Sequence, residues 1–334
     1  MPSFLSNLSA EQTRLTIGLA AGIGVITIAG FVYLYKKYGP EAPPQKWRRV
    51  GELSDLICYP IKSCGPIKLN SIGCGQIGLE DGNLKDRIFM IITTNGEFIT
   101  GRQHPKVTLV HPRIEKDKMM LSAPGMMDIE VDIKRLYKVP PIKCKVWGQT
   151  VQAVDCGEEV ARWFSRYVLS EDFGLRLVFY PSCLPSREVR PINKKFETMF
   201  SRDTGAFHDA TSFMLFNESS VHDLNNRLND PVQVLNFRPN FVVRGPGPYE
   251  EDAWKWVKIG NDVIFRNIKP CTRCKFTTVD PETGTFRADG DPLKTLTEYR
   301  MFKDAGVTPV LGIHLGVRTK GTVSVGDPVY VEAD

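Results

Sequence analysis

Pro270-Cys271-Thr272-Arg273-Cys274 runs into Lys275-Phe276-Thr277-Thr278-Val279 and then into the turn Asp280-Pro281-Glu282-Thr283-Gly284. Cys271 and Cys274 form the one tight motif among eight cysteines; the rest stand at 58, 64, 74, 144, 156 and 183. Three chemistries use Cys-x-x-Cys. Structural zinc needs four ligands, yet the five histidines (104, 111, 208, 222, 314) are isolated and there is no second cysteine pair. A redox dithiol opens a helix after a strand, whereas the residues after Cys274 continue as β-type sequence. The third chemistry is one thiolate on a soft, high-valent metal. Flanking Lys269, Arg273 and Lys275 are expected to lower the thiol pKa and favour such ligation.

Outward from this stretch, short apolar runs are broken by Gly, Pro, Asn and Asp. Strands are expected at 53–59, 87–94, 97–101, 107–114, 143–154, 175–180, 213–216, 237–244 and 263–268. Asn95-Gly96 is a two-residue hairpin signal. Val160, Trp163, Phe164, Tyr167 and Val168 follow helical spacing and predict a helix over 157–169. Asn217 caps a second helix through Val221, Leu224 and Leu228, and a third lies near 293–302. Residues 321–331 alternate apolar and polar around a Gly-Asp turn. Many short strands with few helices predict a mainly β fold with some helix (α+β), a distorted barrel rather than βαβ winding. Gly245-Pro246-Gly247-Pro248 lacks the Lys-Ser/Thr of a nucleotide loop and reads as a turn.

A length of 334 residues suggests two domains. The composition, 42% hydrophobic and 24% charged, excludes disordered and fibrous classes. A net charge of +5 is too dilute for nucleic-acid binding, and eight cysteines are too few for a secreted disulfide scaffold. Residues 15–35 carry no charge and are long enough for one transmembrane helix, longer than a signal-peptide core. Lys36, Lys37, Lys46, Arg48 and Arg49 follow them, which orients the bulk of the chain toward the cytosol. Moderate hydrophobicity with a basic flank suits the mitochondrial outer membrane, with the endoplasmic reticulum as the alternative. The resulting division is a tail at 1–14, the transmembrane helix at 15–35, a Pro-rich linker at 36–49, a first domain at 50–185 and a second at 186–334.

Asn236-Phe237-Arg238-Pro239-Asn240, Cys271-Thr272-Arg273-Cys274, Thr278-Val279-Asp280-Pro281-Glu282-Thr283-Gly284 and Val325-Gly326-Asp327-Pro328-Val329 together resemble the molybdenum-cofactor-binding MOSC domain. Tyr59-Pro60-Ile61-Lys62-Ser63-Cys64 and Gly82-Asn83-Leu84-Lys85-Asp86-Arg87 resemble the β-barrel domain that precedes it in such proteins. With the N-terminal anchor, the chain is similar to the mitochondrial amidoxime reducing component family over about residues 50–332. The resemblance implies a β-barrel-like N-terminal domain, a MOSC barrel and Mo-molybdopterin as cofactor. It implies that Cys271 ligates molybdenum and that Cys274 is a structural neighbour. Lys62, Ser63, Arg87, Arg238, Thr211, Ser212, Asn240, Thr272 and Arg273 match positions around the pterin and its phosphate, where cationic donors are apt. Asp209 matches a position suited to a proton donor or orienter; a turn carboxylate is the plainer reading.

Two stretches depart from the family pattern. His208-Asp209-Ala210-Thr211-Ser212 replaces a Ser-Asp-Thr-Ser-type segment, and Pro309-Val310-Leu311-Gly312-Ile313-His314 replaces a Phe-Gly-x-Tyr-like one, so His314 is either a pocket residue or a core histidine. The implied reaction is reduction of N-hydroxylated compounds: amidoximes, N-hydroxyguanidines, hydroxylamines and nitrite. No dinucleotide or haem-attachment motif is present, so electrons come from outside. The resemblance implies cytochrome b5 and NADH-cytochrome b5 reductase as donors. The alternative is a molybdenum-cofactor carrier or a sulfurase-related MOSC protein, although the chain has no room for a sulfurase's pyridoxal-phosphate domain.

Overall fold

The computed structural model describes residues 42–333. The expected transmembrane span at 15–35 lies outside the described residues, among which no helix is long and apolar enough to cross a membrane. The first strands are β1 (Trp47–Cys58), β2 (Ile67–Leu69), β3 (Ser71–Gly75), β4 (Gly78–Asp81), β5 (Leu84–Lys85) and β6 (Phe89–Thr93). They are followed by β7 (His111–Glu115), β8 (Lys118–Ser122), β9 (Ile129–Asp132), β10 (Ile142–Val146), β11 (Gln149–Asp155) and β12 (Leu175–Phe179). The last are β13 (Phe213–Asn217), β14 (Phe241–Arg244), β15 (Trp256–Ile259), β16 (Val263–Thr272), β17 (Val310–Thr319), β18 (Gly321–Ser324) and β19 (Pro328–Glu332).

Seven strands close on themselves in the order β14-β13-β17-β16-β15-β19-β1, and a β1–β14 pairing completes the ring. Closure removes the sheet edges that would otherwise be left unpaired. β1 makes it possible because it serves two neighbours. Its first half pairs with β19, from Trp47↔Glu332 to Glu52↔Pro328, and its second half with β14, from Glu52↔Arg244 to Leu56↔Phe241. Inward positions recur at every second residue, as in Val263 and Phe265 or Val329 and Val331. These fill the barrel together with Leu53, Phe213 and Phe241. The Phe213 and Phe241 rings stack at 5.7 Å, and Phe265 meets Phe213 edge-on at 5.1 Å.

The remaining strands form three further sheets, β10-β11-β12-β6, β18-β3-β4-β5 and β7-β8-β9. The helix Glu158–Leu169 covers this region, burying Trp163, Phe164 and Val168 in a second core with Phe89, Leu177 and Phe179. The two sequence regions interlock: β1 belongs to the barrel, and β18 pairs with β3 from Gly321↔Cys74 to Ser324↔Ser71. Residues from 44 onward accordingly form one compact unit.

Several expected elements take a different form. Residues 143–154 fold as the β10–β11 hairpin, turning at Trp147 (φ 54°) and Gly148 (φ 78°). The stretch 107–114 begins as a 3-10 turn, Pro105–Leu109, because Pro105 occupies its first position, and only then becomes β7. The hairpin arm 97–101 makes isolated bridges, Ile92↔Phe98 and Glu97↔Lys145, in place of a strand. Phe237 ends a 3-10 turn, and Arg238 takes left-handed backbone before β14. β16 runs on to Thr272, which puts Cys271 in a strand.

Candidate functional site

Cys271 lies where β16 and β17 lose their regular register. Pairing steps from Asn267↔Leu315 to Lys269↔His314, and from Pro270↔Ile313 to Thr272↔Val310, so each strand carries an irregularity. Gly312 sits in the second one at φ +74°, and a Cβ there would stand 2.7 Å from the Leu215 carbonyl oxygen. Only glycine fits, and such bulges re-aim side chains at barrel rims. The Cys271 side chain is buried among Met214, Phe216, Phe237 and Leu311. Burial pushes its thiol pKa up, and Arg273 and Lys269 do not pull it back. This corrects the expectation that flanking cations would lower it: desolvation of a buried sulfur outweighs them.

Arg273 itself is spent. Its Nε donates to the Leu311 carbonyl at 2.8 Å, Nη1 to Phe237 O at 3.0 Å and Nη2 to Leu311 O again. Its guanidinium lies 5.3 Å from the Phe216 ring and 5.4 Å from that of Phe237. Thr272 pairs with Val310. Cys274 precedes the 3-10 turn Lys275–Thr278, its carbonyl accepting from Thr277 Oγ1. Lys275 turns away to the Phe286 ring, at 4.3 Å.

Arg238 is the opposite case. Tyr59, Pro66, Asn236, Arg238 and Phe276 help line a cavity of about 330 Å³. The Arg238 guanidinium lies 4.1 Å from the Tyr59 ring centroid and 5.5 Å from that of Phe276. Among the described residues its side chain makes no ion pair, and Arg238 Nη2 and Tyr59 Oη are buried without a hydrogen-bond partner. Burial pulls its pKa down to about 10. A half-buried, unpaired cation with one buried orphan N–H, beside an unsatisfied hydroxyl in a cavity, suits an anionic, hydrogen-bonding group. Molybdopterin's phosphate fits that description.

Arg87 does not line the cavity but packs against its wall, its guanidinium 4.8 Å from the Tyr59 ring centroid. Its backbone is left-handed (φ 51°), its Nη2 donates to the Arg238 carbonyl at 3.1 Å, and its Nη1 pairs with Asp86. Asp86 is wholly buried and accepts from Tyr59 N at 2.7 Å, while His208 Nε2 stands 2.9 Å away. Burial opposes its ionisation, but Arg87 and His208 outweigh it and hold the carboxyl far below its usual range. The Ala206 N–H donates to His208 Nδ1 at 3.2 Å, and burial lowers that histidine's pKa to about 4, so the neutral ring donates to Asp86 through Nε2.

Lys62 and Asp209 form a third group. Lys62 Nζ donates to the Phe207 carbonyl at 2.9 Å and pairs with Asp209, whose Oδ1 also accepts from Trp147 Nε1 at 2.9 Å. Burial brings Lys62 down to about 8. Asp209 is itself exposed, and Lys62 and the Trp147 N–H hold it ionised, so at neutral pH it accepts hydrogen bonds and has no proton to donate. Ser63 is buried next to Lys62 in left-handed backbone (φ 70°). Thr211 Oγ1 donates to Phe213 O at 2.9 Å and stands 3.0 Å from His314 Nδ1. Burial, reinforced by Lys269 and Arg273, holds His314 well below its usual pKa.

Two of the expected contacts are taken up by the fold. Ser212 Oγ donates to the Gln76 carbonyl at 3.0 Å. Asn240 accepts from Met214 N at 3.1 Å and donates to Ile57 O at 3.2 Å, tying β13 to β1. Sequence reasoning gave no role to Tyr59, Asp86, Trp147 or His208. Asp86 and Tyr59 lie inside the quoted motifs, which was their only signal; Trp147 had none.

Residues 50–171 match the family described as the MOSC N-terminal beta barrel domain, and residues 202–330 match the MOSC domain. Mitochondrial amidoxime-reducing component 1 of Mus musculus is 36% identical, over 96% of this chain and 93% of that protein. The component 2 of Bos taurus is 37% identical over 87% of each chain, and component 1 of Danio rerio is 37% identical over 96% of this chain and 95% of its own. Likeness at this level along nearly the whole length, with both domains in order, means that the chain belongs to the mitochondrial amidoxime-reducing component family.

Proposed function

We propose that the protein is a molybdenum-cofactor-dependent reductase of N-hydroxylated compounds: amidoximes, N-hydroxyguanidines, hydroxylamines and nitrite. The observation that supports the cofactor is the unpaired guanidinium of Arg238, its Nη2 buried without a partner, beside the unsatisfied Tyr59 hydroxyl; the relatives' names supply the reaction class. Arg238, Tyr59 and Arg87 would hold the anionic tail, Lys62 and Ser63 the polar ring system, and Cys271 the metal. When bound, the molybdenum cofactor would supply the two-electron redox chemistry that cleavage of an N–O bond requires.

The chain's own residues do the rest. Burial keeps the Cys271 thiol protonated in the free site, so ligation releases a proton. The apolar packing around Cys271 excludes water from the sulfur. Asp209, held ionised, orients the Lys62 ammonium and the Trp147 indole N–H. With its pKa near 8, Lys62 is the group that can hold or give up a proton at Nζ around neutral pH. Cytochrome b5 and NADH-cytochrome b5 reductase would deliver the electrons. An N-terminal anchor in the mitochondrial outer membrane, with the catalytic part facing the cytosol, would raise their effective concentration. The test is benzamidoxime turnover by the full chain with that electron chain reconstituted. Cys271→Ala should abolish both molybdenum retention and turnover; a variant that keeps both rejects the assignment.

A further inference from the structure

Trp147 gathers charge, two cations of which the proposed cofactor site does not use. Its indole stands half-buried at the β10–β11 turn. Three cations approach the ring centroid: Arg190 at 4.5 Å, Arg102 at 5.0 Å and Lys62 at 5.9 Å. One carboxylate, Asp209, sits among them, and its Oδ1 is already shared by Lys62 and Trp147 Nε1. Arg102 and Arg190 are left over. Neither forms an ion pair with any of the described residues; Arg190 Nη1 reaches only the Asp209 carbonyl oxygen, at 3.4 Å.

Other cations nearby already have partners. Arg187 Nη2 donates to the carbonyls of Thr204 and His208, although its Nε is buried without one, and Lys269 donates to Asn193 Oδ1 at 3.2 Å.

We propose that Arg102 and Arg190 form an anion clamp beside Trp147 that selects N-hydroxylated substrates bearing a carboxylate on an aromatic ring. The inference rests on the reductase reading and names its substrate class. A planar guanidinium fork matches a carboxylate better than a point charge does. The flat face of Trp147 gives the attached ring a packing surface at low entropic cost. Both arginines are partly exposed, so the attraction is screened and weakens with salt.

The test uses the full-length, cofactor-loaded protein and two unreactive probes that differ only in the carboxylate, 4-carbamoylbenzoate and benzamide. Calorimetry should give roughly tenfold tighter binding of the carboxylate, as expected of a charge-assisted bond. That ratio should shrink at high salt, collapse toward one in the R102Q/R190Q double variant, and recover in part with Arg190→Lys. In parallel, 4-carboxybenzamidoxime should be preferred over benzamidoxime through KM rather than kcat, with a chemical reductant replacing protein donors. Equal binding of the two probes, or a preference that survives the double variant, overturns the clamp. Selective binding without turnover of either amidoxime leaves the clamp standing and rejects the reductase reading.

Discussion

Arg273 and Arg238 are both arginines packed between aromatic rings, one buried and the other half-buried, and the family resemblance would put both beside the cofactor. They differ in what their donors touch. Arg273 spends its Nε, Nη1 and Nη2 on the carbonyls of Leu311 and Phe237, binding β17 to the turn before β14. Arg238 has no such partner among the described residues, and its Nη2 is buried unsatisfied. The first is mortar for the barrel rim; in the proposed function the second receives an anion. Arg273 is buried and Arg238 half-buried, and hydrogen-bond satisfaction is the sharper difference between the structural cation and the proposed binding one.

This difference can be broken by substitution. Arg273→Met should cost roughly 3–5 kcal/mol, since it strands two buried carbonyls and removes a cation from two ring faces. Urea unfolding of the purified variant measures this, and a loss under 1 kcal/mol would place Arg273 with Arg238. The Asp86–His208 pair gives the next effect. The folded-state pKa of His208 is about 4 against a free value of 6.5, so the unfolded chain takes up the proton first. The His208 contribution to stability should be flat above pH 6.5 and fall by on the order of 3 kcal/mol between there and pH 4. Asp86, whose folded pKa is depressed, keeps its contribution through this window. In His208→Gln the slope should vanish from unfolding midpoints measured across that range. Arg238→Met should give the smallest change, with the opposite sign. Without cofactor it should stabilise by roughly 1–2 kcal/mol, because an unpaired buried charge is removed. The same variant should lose molybdopterin on dialysis, followed by fluorescence of the released pterin; destabilisation of the cofactor-free form would instead make Arg238 structural.

What could be read from the sequence was local. The helix Glu158–Leu169 follows from apolar spacing, and Asn217 caps the next helix by accepting from Ser219 N at 3.0 Å. Ring closure could not be read this way, because β1 owes its place to partners nearly two hundred residues or more away, as in Glu52↔Arg244 and Trp47↔Glu332. The β10–β11 hairpin was hidden because Trp147, in left-handed backbone, is not a usual turn residue. At the candidate site, motifs singled out Cys271, Arg87 and Arg238 but carried no sign of their environments. Lys269 and Arg273 flank Cys271 in sequence and suggested an acidic thiol, but burial, which no local spacing reports, reverses the shift.

X-ray absorption at the molybdenum edge, on the full chain purified with its cofactor, tests the coordination at the centre of this account. A sulfur scatterer present in the native protein and lost in Cys271→Ser is the expected result. Molybdenum bound with an unchanged sulfur shell in that variant, or native protein devoid of the metal, would contradict it.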